Sequence, residues 1–172
     1  MDTEITSNIY KECVPIAVTV LMIGQEVKQT KTVDYLPLAN VIADPREGTT
    51  CLVAGWGFVD TTNTMSDVLK SAEVNVMGRG TCNRYWHSQP VITPDMVCAG
   101  PQGMNNNQDT CRGDSGGPLL CNKVQVGVTA FGAGDCGDRS RPKVYTFLSK
   151  QHIDWIKETM RKPALSETSA TQ

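Results

Sequence analysis

A fourteen-residue segment around Ser115 contains the residue types that nucleophilic catalysis needs. The segment QDTCRGDSGGPLLC runs from Gln108 to Cys121, with Ser115 inside the run Gly-Asp-Ser-Gly-Gly-Pro. Glycines at these positions favour a tight turn that exposes the serine, and they allow backbone N–H groups to point at a bound carbonyl oxygen. Ser115 is therefore the candidate nucleophile of an acyl-transfer reaction.

A serine becomes a strong nucleophile only when a base takes its proton, most often a histidine that a carboxylate holds in place. The chain has two histidines, His87 and His152. His87 lies in the polar segment NRYWHSQP, which predicts an exposed loop, and His152 lies in a segment with helical periodicity. Neither histidine is predicted to be catalytic, so the sequence supplies a nucleophile without an evident base.

Seven cysteines are present, six of them between Cys51 and Cys136, with Cys13 apart. No Cys-x-x-Cys pair occurs and the histidines are not paired, so a zinc site is not expected, nor any other metal or cofactor. Three disulfides and one odd thiol are the preferred interpretation, which implies an oxidising compartment. Cys13 is expected to be a free thiol, with a dimer bridged through Cys13 as the alternative.

The apolar pattern predicts many short strands followed by one helix. Strand-type runs separated by turn-forming residues are CLVAGWG, VLKSAEVNVM, DMVCAG, VQVGVTAFG and KVYTFL. This pattern predicts an all-β barrel or sandwich. The final segment SKQHIDWIKETMRK has Ile153, Ile156 and Met160 at helical spacing, with Ser149 as a candidate N-cap and Pro163 beyond its end.

Size and charge limit the classes of function. The 172 residues suffice for one domain of ordinary size, and a net charge of −2 with a pI of about 5.7 would not attract nucleic acid or an acidic membrane. No apolar run reaches the ~18 residues of a membrane span. The acidic N-terminal segment MDTEITSNIYKEC does not resemble a secretory signal peptide, in conflict with the compartment that the cysteines indicate.

Several segments together resemble the trypsin/chymotrypsin-like serine peptidases, and most of all granzymes of the granzyme A type. They are CLVAGWG (51–57), MVCAG (96–100), DTCRGDSGGPLLC (109–121), GVTAFG (127–132) and CGDRSRPKVYTFLSKQHIDWI (136–156). In the family these segments belong to the second of two six-stranded β-barrels and to the C-terminal α-helix. The resemblance thus implies an all-β chain whose first barrel is largely missing. Residues 1–24 would be an unassigned remnant of the first half, residues 25–162 the second barrel and helix, and residues 163–172 a disordered tail.

The resemblance also implies a role for each residue of the site. Ser115 is the nucleophile, and the N–H groups of Gly113 and Ser115 form the oxyanion hole. Asp109 lies at the base of the primary specificity pocket, where a carboxylate selects Lys or Arg side chains. Asp114 holds the N-terminal amine that zymogen cleavage frees. The other substrate-binding positions are Ala130, Phe131, Gly132 and Lys143. The implied disulfides are Cys51–Cys121, Cys82–Cys98 and Cys111–Cys136.

Three departures from the family pattern bear on activity. The catalytic His and Asp of the family lie in its first half, yet the chain has no Ala-Ala-His-Cys segment and has Ala17 near the Asp position. Ala130 replaces a serine that hydrogen-bonds the catalytic Asp. Lys143 replaces a glycine that keeps the pocket open, and we expect Lys143 to form an ion pair with Asp109, because either charge alone is costly to desolvate.

The chain is therefore expected to be a granzyme-like endopeptidase by descent, with cleavage after Lys or Arg, but inactive on its own. A pseudo-protease that binds peptides or inhibitors without cutting them is one alternative, and a truncated non-functional isoform is another. The expected partners are protein or peptide substrates and protease inhibitors, with neither nucleic acid nor membrane. The resemblance implies a secreted or secretory-granule protein.

Overall fold

The barrel that carries the site has six strands. The computed structural model describes residues 18, 20, 27–59, 64–101, 108–133, 136–137 and 140–161. The strands pair in the closed, antiparallel order β1-β2-β3-β6-β5-β4. The elements are β1 (Thr50–Gly55), β2 (Lys70–Met77), α1 (Arg79–Tyr85), β3 (Met96–Pro101), β4 (Pro118–Cys121), β5 (Val124–Phe131), β6 (Lys143–Phe147) and α2 (Lys150–Arg161). The predicted all-β fold with a C-terminal helix is confirmed, as a barrel rather than a sandwich.

Alternating side chains explain why these strands close around one core. Successive residues of a strand point to opposite faces, and in a small barrel the inward residues fill the interior. In β1 the buried residues are Cys51 and Val53, and in β2 they are Val74 and Val76. Leu119 contributes a fully buried side chain from β4. Residues 108–117, which contain Ser115 and are called the serine loop below, lead directly into β4. The packing of Leu119 in the core therefore fixes the position of the C-terminal end of this loop.

Three disulfides join the elements, with the pairing that the family resemblance implied. Cys51 and Cys121 lie opposite each other in β1 and β4, the strand pair that closes the barrel, and they form a disulfide. The other two bonds are Cys82–Cys98, between α1 and β3, and Cys111–Cys136, which ties the serine loop to the segment before β6. Two of these bonds therefore restrain the loop that contains Ser115 at its two ends.

Helix α1 was not predicted, because its seven residues have no side-chain cap and too few turns for a clear periodic signal. Tertiary contacts hold it instead. The Arg79 guanidinium donates to both carboxylate oxygens of Asp44, at 2.6 and 3.1 Å, and to the backbone carbonyls of Thr93, Pro94 and Met96. Cys82 is fully buried and bonded to β3. His87 follows the helix and is exposed, as predicted.

Helix α2 confirms the predicted terminal helix and packs one edge on the barrel. Ile153 is fully buried, and Ile156 packs against the core, whereas Met160 is 61% exposed. Ser149 directly precedes the helix, and its carbonyl oxygen accepts the Ile153 N–H at 3.0 Å. Within the described ranges, no helix is long and apolar enough to cross a membrane. Cys13, Ala17, Pro163 and the predicted 163–172 tail lie outside the described residues, so the predicted domain boundaries stay predictions.

Large apolar side chains are exposed around the loop that follows β1. Each of them is more than half exposed: Trp56, Val59, Met65, Val68 and Leu69. The Ser66 N–H donates to the Trp56 carbonyl oxygen at 3.2 Å, so the two sides of the loop are neighbours. Exposed apolar patches of this kind are typical of surfaces that bind another protein unit. The described residues leave this face uncovered.

Candidate active site

The loop before β4 presents Ser115 to solvent. Gly113 has φ +93° and Gly116 has φ +86°, a backbone conformation that L side chains rarely adopt. A Cβ on Gly113 would also lie only 3.1 Å from the Cα of Gly57. Both glycines are therefore required by the turn, and the residue between them, Ser115, is exposed. This is the geometry that the Gly-Asp-Ser-Gly-Gly-Pro run predicted for a nucleophile.

Backbone hydrogen bonds stabilise the serine loop and leave two N–H groups available. The N–H of Asp114 donates to the Cys111 carbonyl at 3.0 Å, that of Gly116 to the Thr129 carbonyl at 2.9 Å, and that of Gly117 to the Asp114 carbonyl at 2.9 Å. The N–H groups of Gly113 and Ser115 have no acceptor in the described part of the chain. They are free to donate to a bound oxygen, as an oxyanion hole requires.

The Asp114 carboxylate anchors this loop to the segment Ala-Gly-Trp-Gly (54–57), which begins in the last two residues of β1. Its Oδ1 accepts the Gly57 N–H at 2.7 Å, and its Oδ2 accepts the Cys111 N–H at 2.9 Å. A Cβ on Gly55 or on Gly57 would overlap the Asp114 carboxylate, so both glycines are needed for this contact. The sequence analysis identified the segment CLVAGWG as a family feature. It did not predict that Gly55 and Gly57 leave room for the Asp114 carboxylate.

A cavity of about 560 Å³ lies beside Asp114. Its wall is formed by the end of β1, the loop after β1 and the start of β2. Residues 108–110 and 136–137 complete the wall. Both carboxylates of the site, Asp109 and Asp114, line it. The cavity is therefore large enough to hold a small chemical group such as an ammonium, and its two carboxylates favour a positively charged group. Among the described residues, no cluster of His, Cys, Asp and Glu could hold a metal ion.

Asp109 is a largely buried carboxylate with one unsatisfied oxygen. Its Oδ1 accepts the Thr110 N–H at 2.8 Å, whereas its Oδ2 is buried without a hydrogen-bond partner in the described structure. Burial raises the pKa of Asp109 to about 6, against smaller lowering effects from the Thr110 N–H and the Lys143 charge. A carboxyl group this poorly solvated is destabilised when ionised unless a cation or a donor reaches it.

Thr110 and Tyr145 form a buried hydrogen-bonded pair next to Asp109. Sequence reasoning missed both residues. The Tyr145 hydroxyl lies 3.2 Å from the Thr110 Oγ1, and both residues are buried. Burial raises the pKa of Tyr145, and the nearby Asp109 charge raises it further. The hydroxyl therefore stays neutral and fixes the Thr110 side chain. The Thr-Tyr pair had no local signal, because its partners are 35 residues apart.

Lys143 corrects a prediction. It is buried, at 5% exposure, but it does not form the predicted ion pair with Asp109, since no ion pair within 4.0 Å joins these two described residues. Its Nζ instead donates to the Ala133 carbonyl at 3.4 Å. The side chain lies against Gly132, where a Cβ would overlap Lys143 Cδ. A backbone carbonyl partly compensates the lysine, whereas the Asp109 carboxyl has no cationic partner within 4.0 Å among the described residues, and its burial raises its pKa.

The remaining predicted positions lie together at the end of β5. The β5–β6 register shifts between Thr129 and Phe131, which places Ala130 at a bulge. Bulges of this kind redirect a strand next to active sites. The Phe131 ring packs edge-on against Trp86, with centroids 5.2 Å apart and an interplanar angle of 83°. The structure thus positions the β5 end rigidly beside the Lys143 side chain.

Neither histidine is hydrogen-bonded to Ser115. His152 Nδ1 lies 3.0 Å from the Ser149 Oγ at the start of α2, and His87 lies in the loop after α1. Ser115 makes no side-chain hydrogen bond to any described residue. The described part of the chain therefore brings together an exposed Ser115, two N–H groups without a described acceptor and the buried Asp109 carboxyl, but no histidine beside Ser115.

Comparison with known proteins agrees with this geometry. The trypsin family profile matches residues 7–156, so the chain belongs to the trypsin-like serine peptidases. It is 40% identical over 143 residues to granzyme A from Bos taurus, which covers 81% of this chain and 54% of that protein, in agreement with the granzyme A-like resemblance. It is 41% identical over 128 residues to kallikrein-8 from Rattus norvegicus, covering 74% of this chain and 46% of that protein.

Two solved structures have the same fold. Neuropsin, a serine protease expressed in mouse brain, has a TM-score of 0.70 and 35% identity, and the match covers 81% of this chain and 60% of neuropsin. Human heparin binding protein has a TM-score of 0.69 and 30% identity, with 86% of this chain and 60% of that protein covered. The chain spans about half the length of the granzyme and kallikrein that it matches.

Asp109→Asn is expected to stabilise the chain at pH 8 and not at pH 4. Folding raises the pKa of Asp109 from 3.8 to about 6, so the folded state binds this proton more tightly than the unfolded state. The contribution of the group to stability is present below pH 3.8 and is lost as the pH rises through about 6. The neutral amide avoids that loss, so the free energy of unfolding should rise by about 2 to 3 kcal/mol at pH 8.

Urea denaturation of both proteins at pH 4, 6 and 8 measures this difference. Asp67→Asn makes the same change at an exposed position; it is the matched control and should change the free energy of unfolding by less than about 0.5 kcal/mol. A gain in stability that is equal at all three pH values would contradict burial of an ionised Asp109 as its cause.

Proposed function

We propose that this chain is the nucleophile-bearing barrel of a serine endopeptidase, with Ser115 attacking the carbonyl carbon of a peptide bond. The observation that carries the proposal is the serine loop. It exposes Ser115 and leaves the N–H groups of Gly113 and Ser115 without an acceptor among the described residues. Two such donors stabilise the negative charge that develops on the carbonyl oxygen during attack. Membership of the trypsin-like family supports the same reaction.

The reaction needs a base, and the described residues bring none to Ser115. In the family, a His and an Asp of the first barrel perform this role, so catalysis requires those groups beside the second barrel. The exposed apolar side chains around Trp56 offer a surface on which such a barrel would pack. The chain alone is therefore proposed to be inactive. The chemistry itself uses side chains and backbone N–H groups and needs no metal or cofactor.

Asp114 is proposed to hold a freed N-terminal amine and thereby to shape the oxyanion hole. The support is the cavity beside it, which is large enough for a chain terminus and is lined by two carboxylates. Each oxygen of Asp114 already accepts one N–H, and a carboxylate oxygen can accept a second donor. An ammonium bound there would stabilise the loop in which Gly113 and Ser115 lie.

The proposed partners are protein or peptide substrates and protease inhibitors, in a secreted or granule compartment. The three disulfides support an oxidising environment. Cleavage after Lys or Arg, which the resemblance implies through Asp109, is opposed by the buried Lys143 in the same pocket. A dimer through Cys13 stays a prediction.

A pseudo-protease is the second candidate function, and the position of Lys143 favours it. A buried lysine beside Gly132 narrows the pocket that a cutting enzyme of this class would use to hold a basic side chain. Such a chain would bind peptides through the end of β5 without cutting them. The two candidates differ in whether Ser115 becomes reactive when a base is supplied.

A chimera tests the proposed function. It joins the part of bovine granzyme A that precedes the matched region to the matched region of this chain, with its N-terminus freed by cleavage. A fluorophosphonate probe should label the chimera at Ser115 and should not label its Ser115→Ala variant. The matched control is the chimera with the granzyme-derived histidine changed to Ala, which should lose labelling. A folded chimera that stays unlabelled would favour the pseudo-protease.

A further inference from the structure

The side chain of Lys143 points toward the Asp109 segment. Residues two apart in a strand point to the same face. Tyr145 is two positions after Lys143 in β6, and its hydroxyl contacts Thr110, the neighbour of Asp109. Lys143 therefore shares the face of β6 that looks onto the base of the pocket. The lowering effect of its charge on the pKa of Asp109 agrees with this placement.

The aliphatic part of Lys143 fills the space next to Gly132. A Cβ built on Gly132 would overlap Lys143 Cδ and would lie 3.1 Å from Nζ. Lys143 is only 5% exposed, so its stem and ammonium both lie inside the protein rather than extending to solvent. The family has a glycine at the position of Lys143, which leaves the space next to Gly132 empty. In this chain the four-carbon stem of Lys143 occupies that space.

Lys143 also adds a positive charge near the Asp109 carboxyl, where the family has an uncharged glycine. Asp109 contributes one buried carboxyl whose Oδ2 has no described partner, and Lys143 contributes one buried ammonium whose described hydrogen-bond partner is the Ala133 carbonyl. A second cation would have to be desolvated next to an ammonium that is already buried. Coulomb repulsion between two such charges is only weakly screened in the interior.

We infer that Lys143 occupies the primary specificity pocket as an internal cation and excludes lysine and arginine side chains of a substrate, so that the pocket admits only uncharged groups. The inference rests on the proposed function for the identity of the pocket, but it does not depend on a reactive Ser115. It makes Lys143 the residue that determines specificity, because a cationic side chain of a substrate cannot reach Asp109 past Lys143.

Direct binding of benzamidine tests the inference in the full 172-residue chain. Benzamidine carries a planar amidinium that pairs with a carboxylate through two hydrogen bonds, and benzamide is a neutral ligand of nearly the same shape. Calorimetry at pH 8 should show that the parent chain binds benzamidine no better than benzamide. In Lys143→Gly, benzamidine should bind about 10- to 100-fold more tightly than benzamide, as expected for charge-assisted hydrogen bonds to Asp109.

A second substitution identifies the carboxylate. Lys143→Gly combined with Asp109→Asn should lose the preference for benzamidine over benzamide. Lys143→Ala serves as a second opening variant, because it removes the same side chain without placing a glycine in β6. Intact disulfides by mass spectrometry and an unchanged near-UV circular dichroism spectrum establish that each variant is folded.

Two results would overturn the inference. One is a parent chain that prefers benzamidine over benzamide by tenfold or more and loses this preference on Asp109→Asn. The other is the absence of any preference for benzamidine in both opening variants while they are folded. Neither result bears on the chimera test, in which a fluorophosphonate reports on Ser115 without needing the pocket. Failure of the inference and failure of the proposed function are thus distinguishable.

Discussion

Expressed alone with its disulfides formed, the 172-residue chain is expected to hydrolyse p-nitrophenyl acetate no faster than its Ser115→Ala variant. No base reaches the Ser115 hydroxyl among the described residues, and a neutral hydroxyl is a weak nucleophile. In a well-characterised serine protease, loss of the serine or of the histidine lowers turnover about a millionfold. A small activated ester is the appropriate substrate, because it reacts without entering the specificity pocket.

The rate is measured as p-nitrophenol release, with fluorophosphonate labelling in parallel. His87→Ala and His152→Ala are the matched controls, and neither should change the background rate. Ester hydrolysis that is abolished by Ser115→Ala would contradict the prediction and would show that a base acts on Ser115. Loss of that activity in one histidine variant would then identify the base.

Removal of the disulfide that closes the barrel is expected to have the largest effect on stability. Cys51 and Cys121 are 70 residues apart in sequence and pair across β1 and β4. Cross-linking a loop of this length in the unfolded chain stabilises the folded state by about 4 kcal/mol in the chain-entropy account. Cys51→Ala/Cys121→Ala should therefore lower the free energy of unfolding by about that amount.

Urea denaturation monitored by tryptophan fluorescence measures this loss. Thr50→Ala/Asn75→Ala is the matched control, because it also changes β1 and removes only an exposed side-chain hydrogen bond of 3.4 Å between neighbouring strands. The control should change the free energy of unfolding by less than about 1 kcal/mol. An equal urea midpoint for the cysteine variant and the parent would contradict the prediction.

Local pattern was sufficient for most of the fold. Short strand-type runs between turn-forming residues predicted five of the six strands, and helical spacing from Ile153 predicted α2. β4 was recognised only as part of the serine motif, because its four residues are too short for a periodic signal. Helix α1 escaped for a related reason: distant contacts of Arg79 and the Cys82 disulfide stabilise it, and such contacts leave no local pattern.

The geometry of the serine loop was likewise indicated by the sequence. Positive φ angles demand glycine at positions 113 and 116, so the residue types themselves predict a turn that exposes Ser115. The absence of a suitably placed histidine was also evident from residue types alone. The disulfide pairing, in contrast, came from family resemblance, because six cysteines allow 15 connectivities that spacing alone does not separate.

Only the tertiary structure decided what the buried charges of the pocket do. From sequence and resemblance, Asp109 and Lys143 were expected to pair, because either charge alone is costly to desolvate. The β5–β6 register and the bulge at Ala130 instead place the Lys143 ammonium on the Ala133 carbonyl and leave one Asp109 oxygen unpartnered. The residue types gave one acidic and one basic side chain, and the family resemblance assigned both to one pocket. The hydrogen-bond partner of each charged group depended on strand register. A shift of a few ångströms changes the partner, because hydrogen bonds and ion pairs form only over such short distances.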